Sequence, residues 1–268
     1  MASRIEEAEQ AVRADDLSIS RSGRGGPRTR VVDGMTFTLP YGRTLTIMGP
    51  TGAGKSSLLA VLAGAAEAGL SVVGGDARVH GIRVRRPGRA LRRLTYLTGY
   101  LPQSAGAKLP SRFTVSELIG HPITRRDKTV NARGLAVRVA GLLDEMQLPL
   151  GAAAKYPYEL SAGMRQRVAF AQALILEPTL LVADEPFANL DVEVRAAALE
   201  AVVRRRDEHG MAMLVGTNDR EVVHALDADV IVMRGGHAIA AGHGVDDLLW
   251  TPSGDADHRL VAPGPAQS

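Results

Sequence analysis

One tract, TLTIMGPTGAGKSSLLAVLA at residues 44–63, constrains this chain more than any other. Thr44–Met48 has the β-branched and apolar content of a buried strand, and Lys55–Ala63 has the composition of an apolar helix. Between them, Gly49-Pro50-Thr51-Gly52-Ala53-Gly54-Lys55-Ser56 matches G-x-x-x-x-G-K-[ST]. At average residue usage, a chance match in a chain of this length is expected on the order of once in 100 sequences. Gly52 and Gly54 let the backbone close on an anion with its N–H groups, and the helix that follows adds partial positive charge at its N-terminus. The expectation is a nucleotide held by the whole loop and by Ser57 beyond it. Lys55 should reach the β- and γ-phosphates and Ser56 should ligate Mg2+.

The rest of the chain alternates short apolar runs with helical patterns, which predicts a mostly parallel sheet with covering helices. Leu180–Ala183, Met211–Thr217 and Val230–Met233 read as further core strands, separated by helices around Val192–Asp207 and Asp219–Leu226. Ser71–Val73 and Ala77–His80 read as a small strand pair around Gly74-Gly75. Leu94–Leu101 reads as another strand, before a loop at Pro102-Gln103. Residues 112–176 are helix-rich, with TVSELI, a long pattern from Val130 to Met146, and Gly163–Leu176. The expected organisation is an N-terminal extension at 1–16, one α/β domain at 17–250 with a helical insertion at about 104–160, and a loose tail at 251–268.

The run LLVADE at Leu180–Glu185 supplies the acids such a loop needs. Asp184 is the expected partner of Mg2+, through water, and Glu185 is placed to orient or deprotonate an attacking water. Zero cysteines exclude disulfides, thiol nucleophiles and thiolate metal sites, and fit a cytoplasmic protein. No apolar run reaches the roughly 18 residues of a membrane span, and MASRIEEAEQAVRADD is acidic without the apolar core of a secretory signal. The net charge is only +3, but arginines cluster at 21–30 and 78–93. No aromatic residues interleave with them for base stacking, so they read as solvated faces and no nucleic-acid partner is expected.

Upstream of the acids, Leu160-Ser161-Ala162-Gly163-Met164, followed by Arg-Gln-Arg, resembles the signature motif of ABC-type ATPases, which has Gly-Gly where this chain has Ala162-Gly163. The resemblance spans roughly 17–249. It implies an α/β fold with a P-loop NTPase core and mostly parallel sheet, a small antiparallel β subdomain and an inserted α-helical subdomain. It also implies ATP with Mg2+ as cofactors, and it makes Gln103 in YLPQ the glutamine that senses Mg2+ and meets a membrane partner. Ala188-Asn189-Leu190-Asp191 resembles the family's loop across a dimer interface. Ser161, Ala162 and Gly163 would hold the γ-phosphate of ATP bound to a second chain; a helix-capping serine is the structural alternative.

The family resemblance implies an ATP-hydrolysing subunit on the cytoplasmic face of the cell membrane, energising solute transport through integral membrane transporter subunits. The stretch YPYELSAGMRQRVAFAQALILEPTLLVADEP is most similar to subunits of peptide, oligopeptide and nickel importers, which implies import and a solute-binding protein. An exporter subunit, a weakly hydrolysing regulatory subunit, and a non-transport ABC ATPase acting on ribosomes or DNA are the alternatives. Two departures from the family stand out. Asn218 occupies the place of the usual histidine, in Thr217-Asn218-Asp219, and can donate a hydrogen bond to a γ-phosphate but cannot carry an imidazole's proton. No aromatic residue occurs between Met1 and Thr36 to stack on adenine, which leaves an arginine such as Arg21 for that place. Asn218 points to a slow site on this chain and Ala162 to a weakened signature turn serving the second chain, and together they favour pairing with a different ATPase chain over a copy of itself.

Overall fold

The computed structural model describes residues 10–23, 27–188 and 190–250. The expected loose tail from Thr251, the acidic residues 1–9, Arg24 of the first arginine cluster and Asn189 lie outside the described residues. Strands β1 (Gln10–Ser22), β2 (Arg28–Pro40), β4 (Leu70–Val79) and β5 (Ile82–Arg83) form an antiparallel sheet in the order β2-β1-β4-β5. A second sheet takes β3 (Thr44–Met48), β6 (Thr98–Leu101), β7 (Leu180–Asp184), β8 (Ala212–Gly216), β9 (Asp229–Arg234), β10 (His237–His243) and β11 (Leu249–Trp250). Its order is β11-β10-β9-β3-β8-β7-β6, with β9, β3, β8, β7 and β6 parallel.

The parallel strands are buried on both faces, and alternate residues serve different layers. Leu180 and Val182 pack with Leu58, Leu59 and Leu62 of helix α1 (Lys55–Leu62) and with Leu17 and Ile19 of β1, so α1 lies between the two sheets. Leu181 and Ala183 face the other way, toward four further helices. Those are α3 (Val115–Thr124), α4 (Ala132–Glu145), α5 (Ala162–Leu174) and α6 (Val192–His209). Helix α2 (Leu91–Leu97) precedes β6, and α7 (Arg220–Ala225) follows β8. Side chains at their N-termini fix where two of these helices begin: Thr114 and Glu117 form a reciprocal capping box on α3, and Asn131 caps α4. Among the described residues no helix is long and apolar enough to cross a membrane.

Three sequence expectations are corrected. Residues 10–16, assigned to an extension, are the first half of β1, and Ala11, Val12 and Ala14 are fully buried. The strand pair around Gly74-Gly75 is one strand, β4, paired to β1; the glycines mark a bulge, where the register shifts between Asp15↔Asp76 and Ser18↔Gly74. Gly75 has φ +61, and a Cβ there would collide with the carbonyls of Asp15 and Asp16. The strand expected over Leu94–Leu101 begins only at Thr98; before it, Leu91, Leu94 and Leu97 recur at helical spacing and Leu94 is fully buried.

One polar contact set joins the two sheets. His80, at the end of β4, takes Tyr41 Oη on Nδ1 at 2.8 Å and Thr98 Oγ1 on Nε2 at 3.1 Å. Burial, helped by the Arg93 charge, lowers its imidazole from 6.5 to about 4. A neutral ring with its proton on Nε2 satisfies both partners. The unfolded chain takes up that proton near pH 6.5 and the folded one only near 4, so stability is full above 6.5 and falls as pH drops through that window. The loss reaches up to about 3 kcal/mol. His80→Asn, which tolerates the φ of +51 at this position, should flatten the fall in thermal midpoint between those pH values. An unchanged slope would assign the acid sensitivity elsewhere.

Candidate active site

The carboxyl ends of β3, β8 and β7 meet at one level, with Ile47 and Asp184 both opposite Gly216. Ligands of open α/β sheets bind beyond such ends. From Met48 the chain enters the loop Gly49–Ser56, and Gly49, Gly52 and Gly54 take φ of +141, +84 and +103. Lys55 is 9% exposed, and its ammonium is held by the Gly49 carbonyl oxygen and, at 3.3 Å, by that of Pro50. It makes no contact ion pair among the described residues, and the Asp184 and Glu185 carboxylates act on it only from beyond that distance, so its ammonium faces the loop without an anion in contact. A phosphate supplies one.

Asp184 ends β7 and is 2% exposed. Burial raises its carboxyl above the ordinary range, while a hydrogen bond with Ser56 and the charges of Lys55 and Lys108 pull it down. The glycine beside it matters, because a Cβ on Gly216 would lie 3.1 Å from Asp184 Oδ1 and 2.7 Å from Leu59. Glu185 leaves the strand with φ +47, and its N–H is held by Gly216 O at 2.7 Å. Burial raises its carboxyl too; Thr217 and Lys55 lower it, and the charges of Asp184 and Asp219 raise it. Thr217 Oγ1 donates to Glu185 Oε2 at 3.1 Å while accepting Asp219 N–H at 3.1 Å, so its single proton is committed to the carboxylate.

Asn218 is brought to the phosphate loop: its Oδ1 accepts Gly49 N–H at 2.8 Å. Its amide nitrogen keeps its donors. Arg21, on the last turnward residues of β1, reaches Ser57 Oγ at 3.3 Å, beside the start of α1. Gln103 follows β6, exposed and without a side-chain hydrogen bond among the described residues. Ser161 caps α5 by accepting Met164 N–H at 3.2 Å, and Ala162 is the first residue of that helix. No hydrogen bond or ion pair among the described residues joins Ser161, Ala162 or Gly163 to the phosphate loop. Lys55, Ser56, Asp184, Glu185 and Asn218 are thus gathered around the phosphate loop, whereas Gln103 and the serine turn are not bonded to it, with Ser161 and Ala162 exposed and Gly163 half-buried.

The donors fit Mg2+ delivered with a nucleotide. Among the described residues no group of three or more His, Asp or Glu could hold a metal unaided. Ser56, Asp184 and Gln103 offer oxygen atoms, and Mg2+ takes oxygen ligands, with few carboxylates and the rest from waters and substrate phosphates. The sequence left Thr217, Gly216 and the buried Gln166 without a role. Gln166 carried a legible signal, a polar residue four and eight positions before Phe170 and Leu174 on the buried face of α5.

Residues 32–188 match the family model described as ABC transporter. The chain belongs to the ABC transporter family. It is 34% identical over 239 residues to the oligopeptide transport ATP-binding protein OppD of Mycobacterium tuberculosis, covering 88% of this chain and 38% of that one. It is 29% identical over 259 residues to the peptidoglycan transport ATP-binding protein YejF of Agrobacterium fabrum, covering 94% and 46%. It is 34% identical over 211 residues to the Fe(3+) ions import ATP-binding protein FbpC of Pseudomonas fluorescens, covering 79% and 56%. The chain thus spans about half the length of the curated relatives it matches. Its fold is that of an ATP-binding cassette solved as a dimer in a post-hydrolysis state with ADP and Pi, at a TM-score of 0.79 and 21% identity over 87% of this chain and 98% of that one.

Proposed function

We propose that this chain is the ATP-hydrolysing subunit of an importer, docked on the cytoplasmic face of a membrane against integral membrane subunits. The observation that carries the reading is the convergence of an unpaired Lys55, the Ser56–Asp184 pair and a Thr217-held Glu185 at the ends of three adjacent parallel strands. Lys55 and the loop amides hold the β- and γ-phosphates, and Arg21, bonded to Ser57 at the start of α1, is the candidate to stack on the base. Ser56 and Gln103 would hold Mg2+ directly and Asp184 through water, and the ion would supply charge neutralisation on the phosphate oxygens. Glu185 accepts the proton of the attacking water, and the raised affinity of its carboxylate for protons suits it to that task. Asn218 donates from its amide nitrogen toward the γ-phosphate while its oxygen steadies Gly49.

The Ser161–Gly163 turn, exposed at Ser161 and Ala162, serves ATP on a second ATPase chain, and relatives named for peptide and iron transport support import with a solute-binding protein. Purification of the complex from membranes tests this reading. Integral membrane chains should co-purify and stimulate hydrolysis, whereas recovery with ribosomes or DNA would overturn it.

A slow site on this chain follows from Asn218, and a weakened site on the second chain from Ala162. A neutral amide donor is weaker than a charged one by about 1 kcal/mol, roughly five- to tenfold in rate. Asn218→His gives up the acceptor for Gly49 N–H in its protonated form but offers the γ-phosphate a charged donor, so hydrolysis by the purified complex should rise by up to that factor. Ala162→Gly should raise it less. Equal or lower rates in both variants would show that neither residue limits turnover.

A further inference from the structure

Gln166 is a long amide inside an apolar helix face, 7% exposed, beside buried Val168, Ala169 and Phe170. Burying it is expensive unless both ends of the amide are bonded. Both are. Its Oε1 accepts Gly106 N–H at 3.1 Å, and its Nε2 donates to Pro186 O at 3.0 Å.

The two partners belong to the two segments that carry chemistry. Gly106 lies three residues after Gln103, in a short turn that opens at Ser104 with φ +56. Its backbone rests so closely on α5 that a Cβ there would lie 2.6 Å from Gln166 N. Pro186 directly follows Glu185, and the next residue, buried Phe187, packs its ring 5.5 Å from that of Phe170, one helical turn beyond Gln166. Helix α5 therefore grips the Gln103 segment on one side and the Glu185 segment on the other, and a single side chain spans the two. That helix begins at Ser161.

We propose that Gln166 is a positioning residue that couples the loop carrying Gln103 to the loop carrying Glu185, so that a shift of one resets the other. This rests on the ATPase reading above. The amide is the group the geometry requires: it accepts at one end and donates at the other. A carboxylate accepts only, and a thioether of the same length does neither usefully. Displacement of the exposed Gln103 segment pulls on Gly106, and the bridge passes that pull to the carbonyl beside the base.

The test uses the full chain, with amide exchange read at 103–108, 184–188 and 49–56, without nucleotide and with a non-hydrolysable ATP analogue plus Mg2+. Gln166→Met should raise exchange at Gly106 by at least about tenfold even without nucleotide. On addition of the analogue, 49–56 should still be protected, but the changes at 103–108 and 184–188 should no longer occur together. Gln166→Glu should keep protection at Gly106 and lose the response at 184–188. In hydrolysis, Gln166→Met should lower kcat roughly 3- to 30-fold with little change in KM for ATP.

Joint protection of both segments in Gln166→Met, with kcat unchanged, would overturn the proposal and leave Gln166 a packing residue. Should Gln166→Met fail to fold, Gln166→Glu alone decides: a wild-type response at 184–188 overturns the coupling. A wild-type chain that binds no analogue would sink the ATPase reading instead, while the nucleotide-free exchange of Gly106 still reports on the bridge.

Discussion

Glu185→Gln should lower kcat for ATP hydrolysis by roughly 10²- to 10⁴-fold, the contribution of a positioned general base, and leave ATP binding intact or tighter. The substitution is close to isosteric. A glutamine oxygen still accepts the Thr217 hydroxyl, the backbone still donates to Gly216 O, and the left-handed φ of +47 costs glutamine what it costs glutamate. What disappears is the proton acceptor and one negative charge facing a triphosphate. Because burial holds the Glu185 carboxyl above its ordinary value, the wild-type rate should fall as pH drops toward that raised value, and the acid limb should be absent in the variant's residual rate. Steady-state hydrolysis against pH, with analogue binding measured in parallel, checks both statements. A loss below about tenfold would remove Glu185 from the role of base and leave it a neighbour of the phosphates.

What could be seen in the sequence follows from how local each signal is. Strands β3, β7 and β8 were legible because both faces are buried, so TLTIM, LLVAD and AMLVG read as unbroken apolar runs. Strands β1 and β2 were not. Each is 13 residues long, carries charges such as Arg13, Asp15, Arg30 and Asp33, and loses strict alternation at the bulges near Asp16. Helix α2 was mistaken for strand because Leu94 and Leu97 sit next to the true strand at Thr98. The phosphate loop and Asp184-Glu185 were legible as chemistry, since each is a contiguous motif. Their supports were not, because they join distant residues: Gly49 to Asn218 across 169 positions, Gly106 to Gln166 across 60, and Glu185 to Thr217 across 32. Asn218 shows the difference. The sequence marked it as a deficient phosphate donor, and the structure adds that its oxygen is bonded to the first glycine of the loop.

The two glycines at 52 and 54 make the second large prediction, because one methyl group at each should have very different consequences. Both have left-handed φ, so alanine pays a backbone penalty of about 1–2 kcal/mol at either. At Gly52 nothing lies within 4 Å of a built Cβ, so that penalty is the whole steric cost. At Gly54 the Cβ would collide with the carbonyl oxygen of Val31 and approach Met233 Cε at 3.3 Å. Backbone does not give way as a side-chain tip does. Relief requires the start of α1 to move off β2, which carries Lys55 and Ser56 with it. Gly54→Ala should therefore lose nucleotide affinity by at least about 100-fold, equivalent to about 3 kcal/mol, and lower the thermal midpoint by several degrees. Gly52→Ala should lose no more than about tenfold in affinity, with a smaller thermal shift. Analogue titration and thermal unfolding of the two variants side by side measure the contrast. Equal losses would mean that the closeness of Gly54 to Val31 does not set the shape of the loop, and that left-handed φ alone explains why both positions are glycine.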